Sequence, residues 1–368
     1  MTPDFPSIVR HFQFDGELLG VDRIETGHIN DTYAARFRRQ DGRLHRYLLQ
    51  RINRTVFRSP AKVMSNLSVI TTHMRRKVLT AGGDPDRETV NLVATVEGDN
   101  AYRTPEGDWW RAELFIEGAQ TYETASGLDA VREVARAFGR FMAMLSDFPA
   151  DQLHETIPDF HHTPKRYEAL LDAVARDACH RAASVRAEIE FVEQRADELP
   201  VLITLRERGL IPVRVTHNDT KINNVMIDGR TGEGICVVDL DTVMPGVSAY
   251  DFGVMVRSGV SPAAEDEQDL TRVTLDLIRF EALVAGYLDA AREILTPLEI
   301  DCLPFSARLM TLECGIRFLT DHLNGDLYFR THRPGQNLDR CRTQFQLVTE
   351  MEKHFCHLLH IVEKQRYA

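Results

Sequence analysis

The sequence lacks the features that would direct it to a membrane or to nucleic acid. No apolar run approaches the length that spans a bilayer, and residues 1–10 contain no apolar core of the signal-peptide kind. Positive charge is in short supply, because 44 Lys and Arg stand against 55 Asp and Glu, a formal net charge of -11. Nucleic acids require a basic surface, so the composition predicts no nucleic-acid partner and no membrane partner.

Paired cysteines are also missing. The six cysteines show no C-x-x-C spacing and lie in ordinary apolar contexts, so we expect reduced thiols in a cytoplasmic protein. The chain has no internal repeat and gives no indication of an oligomeric state. Its 368 residues, 43% of them hydrophobic, suffice for two lobes with sizeable cores.

The motif with the clearest chemistry is H-x-D-x-x-x-x-N, formed by His217, Asp219 and Asn224. This is the spacing of a phosphoryl-transfer loop, in which the Asp accepts a hydroxyl proton and the Asn binds a metal ion. Asp239 ends a later apolar run and is expected to be the second ligand of a hard cation such as Mg²⁺. Lys221 is expected to meet the transferred phosphate, so Asp219 and Lys221 are the predicted catalytic residues.

A hairpin should bring the two metal ligands together. Residues 226–228 and 235–239 predict its arms, with a turn through residues 229–232, and the second arm returns Asp239 to the side of Asn224.

Four neighbouring polar residues are assigned supporting roles. We expect His217 to pack beneath the loop, since the chemistry gives it no proton to carry. Asp228 is predicted to be a turn residue, and Asp251 of Y-D-F-G to support the loop by hydrogen bonds. Asp241 has two interpretations: it shares the metal, or it caps the loop that follows.

These motifs resemble the aminoglycoside phosphotransferase and choline kinase superfamily. The chain is more narrowly similar to bacterial N-acetylhexosamine 1-kinases, through G-H-I-N-D-T-Y (27–33), L-Q-R-I-N (49–53) and R-F-L-T-D-H-L-N-G-D (317–326). The resemblance implies a two-lobed, protein-kinase-like α+β fold and an ATP- and Mg²⁺-dependent kinase that makes a sugar 1-phosphate. Its N-terminal, β-rich, nucleotide-binding lobe would span residues 1–117, and its mainly helical catalytic and acceptor-binding lobe residues 118–368.

The residue pattern agrees with this division. The N-terminal part predicts strands around residues 20–26, 32–37, 45–52, 90–95 and 109–116, and one helix at 60–80. The remainder predicts helices at residues 128–145, 164–179, 184–208, 265–294, 302–323 and 338–361.

The nucleotide is expected between the glycine turn and an inter-lobe hinge at residues 113–118. Kinases lay the backbone N–H groups of such a turn over the phosphates. The predicted nucleotide-binding residues are Gly27, His28, Asn30, Thr32, Gln50, Arg51, Glu113 and Phe115.

One part of this site departs from the kinase pattern. Gln50 occupies the position of the phosphate-anchoring lysine, Arg51 points to the other face of the strand, and the helix at 60–80 contains no Asp or Glu. The usual Lys–Glu pair is therefore absent. The phosphates would be held by the turn, by Mg²⁺ and by Arg51 or Lys221.

The acceptor is expected near the 317–326 segment, with Arg317, Asp321, His322 and Asn324 as candidate contacts. The alternative is an ordinary polar helix end. Five Arg against three Asp between residues 317 and 343 disfavour a polycationic aminoglycoside, and a neutral amino sugar fits best.

Other functions stay open. Val254 follows Y-D-F-G where the hexosamine kinases often carry an acid, which leaves the acceptor in question. The alternatives are a kinase of homoserine, ethanolamine or another sugar, and a non-catalytic nucleotide-binding homologue. The preference between ATP and GTP is also open.

Overall fold

The computed structural model describes residues 3–24, 29–122 and 127–367 and has the predicted α+β architecture, a β-sheet region followed by a helical region. The strands of the N-terminal sheet are β1 (Glu17–Ile24), β2 (Asp31–Arg38), β3 (Leu44–Arg51), β4 (Leu92–Val93), β5 (Tyr102–Arg103) and β6 (Trp109–Leu114). Their order is β1-β2-β3-β6-β4, with β5 beside β6, and all pairs are antiparallel.

The helices surround this sheet and fill the second region. They are α1 (Phe5–Val9), α2 (Pro60–Thr80), α3 (Pro85–Glu88), α4 (Leu128–Met144), α5 (Thr163–Arg176), α6 (Arg186–Glu193), α7 (Val201–Glu207), α8 (Ser248–Gly259), α9 (Leu277–Ala291), α10 (Pro297–Asp301), α11 (Leu303–Leu323), α12 (Gln336–Lys353) and α13 (Phe355–Arg366). No helix in the described ranges combines the length and hydropathy that a bilayer crossing needs.

The sheet has one apolar face because its side chains alternate. On β2, Tyr33 and Phe37 are buried while Arg36 and Arg38 are exposed. The short helix α1 covers the apolar face, where the Phe5 and Tyr33 rings meet edge to face at 4.8 Å. The opposite face of the sheet is left for polar side chains.

Five short strands frame the predicted catalytic segment: β7 (Ala119–Gln120), β8 (Arg214–Thr216), β9 (Val225–Asp228), β10 (Gly234–Val237) and β11 (Met244–Gly246). β9 and β10 form the predicted hairpin, β7 adds to β9, and β8 pairs with β11. Asp228 accepts hydrogen bonds from the N–H groups of Arg230 and Thr231, which confirms its turn role. The lobe boundary after residue 117 stays a prediction.

Three predicted helices are shorter or broken in the structure. The segment 184–208 holds α6 and α7 with a break before Pro200, which lacks the N–H that a continuous helix needs. The helix expected from residue 265 begins at 277, where Asp276 caps α9 by accepting from Ile278 and Arg279. The last predicted helix divides at His354, so that α12 packs on α11 and α13 on α9.

Candidate active site

The loop with the predicted base lies between β8 and β9 and is held in place by Asp251. This carboxylate accepts hydrogen bonds from the backbone N–H groups of His217 (2.9 Å) and Asn218 (2.7 Å). Asn218 has a left-handed backbone with φ 64°, a conformation that Asn tolerates better than most residues. The predicted supporting role of Asp251 is confirmed, and it fixes the turn immediately before Asp219.

His217 lies beneath this loop and is fully buried. Its Nε2 is 2.9 Å from the carbonyl oxygen of Val238, and the rings of Phe138 and Phe141 meet it edge-on at 5.7 and 5.6 Å. The structural role predicted for His217 is therefore confirmed: it joins the loop to the strand end that carries Asp239.

Asp219 is held between a lysine and an amide. The Lys221 ammonium lies 3.1 Å from Oδ2 of Asp219, and Nδ2 of Asn224 donates to the Asp219 carbonyl oxygen at 2.7 Å. Burial favours the neutral acid, but Lys221 keeps the pKa of Asp219 below its ordinary value, and Asp219 in turn raises the pKa of Lys221. Asp219 is therefore an ionised hydrogen-bond acceptor at neutral pH.

Asp239 lies beside Asn224 because the N–H of Val238 donates to the Asn224 carbonyl oxygen at 2.9 Å. Its backbone is left-handed, with φ 59°. The Asp239 side chain is exposed within the cavity, and desolvation by the enclosing protein, followed by the carboxylates of Asp241 and Asp219, raises the pKa of Asp239 to about 6. Lys221 and Arg111 act in the opposite direction.

This arrangement fits a Mg²⁺ ion. Asn224 donates from Nδ2, which keeps its Oδ1 available, and Asp239 supplies a carboxylate that a cation would relieve of repulsion. The described residues contain no group of three His, Cys, Asp or Glu able to hold a metal. Such an ion would need phosphate oxygens and water to complete its coordination, which is the usual state of nucleotide-bound Mg²⁺.

Arg111 is the site residue that sequence reasoning missed. It is 1% exposed, and its Nη1 donates to Asp241 while its Nε lies 3.0 Å from Glu113. Asp241 also accepts a hydrogen bond from Asn30 of the glycine turn. The Asp241 carboxylate therefore bridges Arg111 of β6 and Asn30 of the glycine turn, a contact between the two regions that neither interpretation from the sequence includes.

Thr32, Gln50 and Arg111 form a row across β2, β3 and β6. Thr32 is opposite Gln50 in the register, and Gln50 is opposite Arg111. Nε2 of Gln50 donates to the Thr32 hydroxyl at 3.1 Å, and Oε1 of Gln50 accepts from Arg111 at 2.9 Å. Gln50 thus occupies the expected lysine position but carries no charge.

A cavity of about 360 Å³ lies between this sheet face and the catalytic hairpin. It brings together most of the predicted nucleotide residues with both predicted metal ligands: Asn30, Thr32, Gln50, Glu113, Phe115, Asn224 and Asp239. Gly27 and His28 lie outside the described residues. Arg111 lines the same cavity, which is lined by apolar side chains toward the hinge, among them Leu48 and Ile116.

Arg51 is the predicted nucleotide residue that does not line this cavity. Alternation on β3 directs it to the other face, where its guanidinium pairs with Asp31 and with Asp108. Arg51 is thus paired on the face of the sheet away from the cavity, whereas Arg111 lines it.

On the acceptor side, the predicted Arg317 is surrounded by aromatic rings. Its guanidinium carbon lies 5.1 Å from the ring centre of Phe160 and 5.4 Å from that of Phe329. Arg166 donates to the Phe160 carbonyl oxygen at 2.7 Å, and burial followed by the Arg317 charge lowers the pKa of Arg166. Two guanidinium groups therefore lie close together without full neutralisation.

Arg257 of α8 links this cluster to the catalytic loop. It pairs with Glu265 at 2.9 Å and is one of the charges that lower the pKa of Asp219. Cys314 of α11 lies within the influence of both Arg257 and Arg317, while burial raises its pKa. Arg257, paired with Glu265, is thus the arginine that acts on Asp219 from this side.

The other predicted acceptor residues hold the loop after α11. Asp321 accepts from the N–H groups of Leu327 (2.9 Å), Tyr328 (2.8 Å) and Phe329 (3.0 Å) and is 5% exposed. His322 is buried against Arg181, whose Nη1 donates to the His322 carbonyl oxygen at 2.7 Å. Asn324 accepts from Arg176 at 3.4 Å. These contacts bind the three residues to the following loop and to neighbouring arginines, and their role as acceptor contacts stays a prediction.

Together, the fold and this site define a kinase-like phosphotransferase acting on small molecules. The chain belongs to the phosphotransferase enzyme family that contains the aminoglycoside phosphotransferases, whose model matches residues 21–288.

Solved structures of related fold cover nearly the whole chain. A microcompartment-associated aminopropanol kinase is 16% identical, with 96% of this chain and 97% of that chain covered and a TM-score of 0.60. An amicoumacin kinase in complex with AMP-PNP and Ca²⁺ is 14% identical, with coverages of 94% and 93% and a TM-score of 0.59. A choline kinase from Cryptosporidium parvum is 14% identical, with coverages of 95% and 93% and a TM-score of 0.53. At these identities the likeness establishes the fold.

Proposed function

We propose that this protein is an ATP- and Mg²⁺-dependent kinase that phosphorylates the anomeric hydroxyl of an N-acetylhexosamine and releases the sugar 1-phosphate. The observation that carries the kinase assignment is that Asn224 and Asp239 line a cavity suited to a nucleotide, while Asn224 also hydrogen-bonds to Asp219. The N-terminal lobe, residues 1–117, would hold the nucleotide, and residues 118–368 would carry the catalytic loop and the acceptor.

In this proposal Asp219 receives the proton of the acceptor hydroxyl. Because its pKa is lowered, Asp219 is a weak base, which suits a residue that first orients the hydroxyl and accepts the proton late in the transfer. The carboxylates of Asp219 and Asp239 both raise the pKa of Lys221, and in this proposal its ammonium group contacts the transferred phosphate. Asn224 and Asp239 hold Mg²⁺, which neutralises phosphate charge. The glycine turn covers the phosphates, and the segment of Glu113 and Phe115 contacts the base.

The Arg317 guanidinium, at the predicted acceptor position, supports a neutral acceptor. A cationic acceptor placed against it would be repelled by about 1–4 kcal/mol at close range. A sugar hydroxyl or an acetamido oxygen accepts hydrogen bonds from guanidinium groups, and the Phe160 and Phe329 rings offer apolar faces for the sugar ring. Aminopropanol, choline and aminoglycosides are the less suitable acceptors on this argument.

A second candidate is a kinase of a zwitterionic alcohol such as homoserine, because its carboxylate could pair with Arg317. A non-catalytic nucleotide-binding role was suggested by Gln50 and the acid-free α2. It loses support because the Arg111–Glu113 pair supplies a cation and an acid beside Gln50.

The test is Mg²⁺-dependent ADP release with N-acetylglucosamine, N-acetylgalactosamine, the parent hexoses, homoserine, choline and one aminoglycoside. The product position is read by ³¹P NMR, and Asp219→Asn is the inactive control. We expect a 1-phosphate from an acetamido sugar and no turnover with choline or the aminoglycoside. Phosphorylation of homoserine in place of the sugars would overturn the sugar assignment while retaining the kinase.

A further inference from the structure

The proposed kinase lacks the lysine that usually fixes nucleotide phosphates. Kinases place this lysine on the second strand of the hairpin and orient it with a glutamate from the following helix. Here Gln50 stands at that strand position, and α2 contains no Asp or Glu. A phosphate chain in this cavity would therefore need another cation from the sheet.

Arg111 is a cation that contacts Gln50, the residue at the expected lysine position. It is directly opposite Gln50 in the pairing of β3 with β6, and opposite residues in neighbouring antiparallel strands have Cβ atoms about 5 Å apart. Both side chains line the cavity, together with Thr32. An arginine side chain is long enough to span one strand spacing, so it can act at the point where a lysine on β3 would act.

The contacts of Arg111 reproduce the missing ion pair on a different strand. Glu113, two residues along β6 on the same face, lies 3.0 Å from its Nε, and Asp241 accepts from its Nη1. The hydrogen bonds that it donates to described residues use Nε and Nη1, which leaves Nη2 for a further partner. Arg111 lines the same cavity as Asp239, the predicted metal ligand.

A purely structural explanation of this arginine is weak. Burying ion pairs costs several kcal/mol of desolvation per ion, and apolar residues of similar volume often stabilise a core as well or better. Arg111 is 1% exposed and Glu113 9% exposed, yet both face a cavity and not a packed core. A buried charge that lines a cavity is better explained by a ligand of opposite charge.

We propose that Arg111 binds phosphate oxygens of the nucleotide in place of the strand lysine, with Glu113 and Asp241 orienting its guanidinium. This inference rests on the proposed kinase function. Because Asp241 also accepts from Asn30, the same carboxylate positions both the arginine and the glycine turn.

The test compares the affinities of the protein for ADP and for adenosine, with Mg²⁺ present, by titration calorimetry. Arg111→Met removes the charge and keeps the length of the side chain. We expect it to weaken ADP binding about 10- to 100-fold, the range of a charged hydrogen bond, and to change adenosine binding less than about twofold. Equal ADP affinity in wild type and Arg111→Met would overturn the inference.

Two comparisons separate this role from a loss of packing. Arg195→Met removes a partly buried arginine that pairs with Glu352 at 2.7 Å in the helical region, and it should lower stability without changing the ratio of ADP to adenosine affinity. The double variant Gln50→Lys/Arg111→Met restores a lysine on β3 and should recover at least about tenfold of the lost ADP affinity. A parallel loss of ADP and adenosine binding in Arg111→Met would mean a structural role only.

If the methionine variant does not fold, Arg111→Lys is the second variant: it keeps the charge, so its ADP affinity should stay within about tenfold of wild type with adenosine binding unchanged. A parallel loss of ADP and adenosine affinity in Arg111→Lys, together with an unfolded Arg111→Met, would reject the phosphate contact. Failure of the wild-type protein to bind ADP at all would instead reject the proposed kinase function.

Discussion

Asn30 and Asp241 belong to different regions of the fold, yet Nδ2 of Asn30 donates a hydrogen bond to Oδ2 of Asp241. Oδ1 of Asn30 also accepts from the backbone N–H of Asn53, at 2.9 Å. The amide therefore joins the glycine turn, the end of β3 and the loop after the predicted metal ligand. Any movement of one lobe relative to the other must either break the hydrogen bond between Asn30 and Asp241 or move both residues together.

We expect Asn30→Asp to weaken nucleotide binding more than Asn30→Ala. The new carboxylate would face Asp241 with the same charge, whereas alanine only removes the hydrogen bond. We expect about a tenfold rise in the KM for ATP with aspartate and about threefold with alanine, from one lost hydrogen bond. Steady-state kinetics with ATP as the varied substrate measure both, and a smaller effect of aspartate would contradict the contact.

Replacement of Asp219 by asparagine should separate chemistry from binding. The amide keeps the shape of the side chain but cannot accept the hydroxyl proton, so kcat should fall about 10²- to 10⁴-fold. ADP affinity should stay within about twofold, because the nucleotide phosphates contact other residues in the proposed site. Kinetics and calorimetry on the same preparation test this, and turnover near the wild-type rate would reject Asp219 as the base.

The catalytic segment was predictable because its chemistry is local. The motif from His217 to Asn224 and the hairpin that returns Asp239 lie within one short stretch, so spacing alone places them together. The role of Arg111 depends on pairing with Gln50 and on a contact with Asp241, both far away in sequence. One signal was present: Arg and Glu alternate in W-W-R-A-E-L, which puts two charges on one face of a buried strand.

The loop contacts of Asp321 could not be predicted from the sequence for a related reason. Helical spacing placed Arg317, Asp321 and Asn324 along one face, but spacing gives no information about where the following loop folds. That loop returns to cover the helix end, and its N–H groups bind the Asp321 carboxylate.

Asp321→Ala should lower stability while leaving the acceptor KM nearly unchanged. The substitution leaves three loop N–H groups and the Asn337 amide without their acceptor, which we expect to cost about 2–4 kcal/mol. Asn324→Ala is the matched control at the same helix end and should cost less than about 0.5 kcal/mol. Thermal unfolding and acceptor kinetics are the measurements, and a raised KM with unchanged unfolding would restore Asp321 to the acceptor site.

Arg317→Met should raise the acceptor KM about tenfold or more and leave the KM for ATP unchanged. Methionine keeps contact with the Phe160 and Phe329 rings but cannot donate hydrogen bonds to the acceptor. If the cluster excludes cationic acceptors, the variant should also turn over choline better than wild type does. An unchanged sugar KM would remove Arg317 from the proposed acceptor contacts.

The raised pKa of Asp239 gives a test of the metal site with a defined sign. Its pKa is about 6 in the folded protein against an ordinary value of 3.8, so protons compete with Mg²⁺ as the pH falls through 6. From the fraction ionised, Mg²⁺ affinity at pH 5.5 should be about fourfold weaker than at pH 7.5. Calorimetric titration of Mg²⁺ in the presence of ADP measures this.

The same pKa also predicts how Asp239 affects stability. The folded protein holds this proton more tightly than the unfolded chain, so the free energy of unfolding without metal falls as the pH rises from about 4 to 6. Asp239→Asn should therefore be inactive but unfold at a higher temperature than wild type at pH 7.5, by only about 1–3 °C because the side chain retains contact with water. Mg²⁺ with ADP should stabilise wild type more than this variant. A variant that unfolds earlier than wild type without metal would show that the Asp239 carboxylate makes favourable contacts in the fold and would contradict its raised pKa.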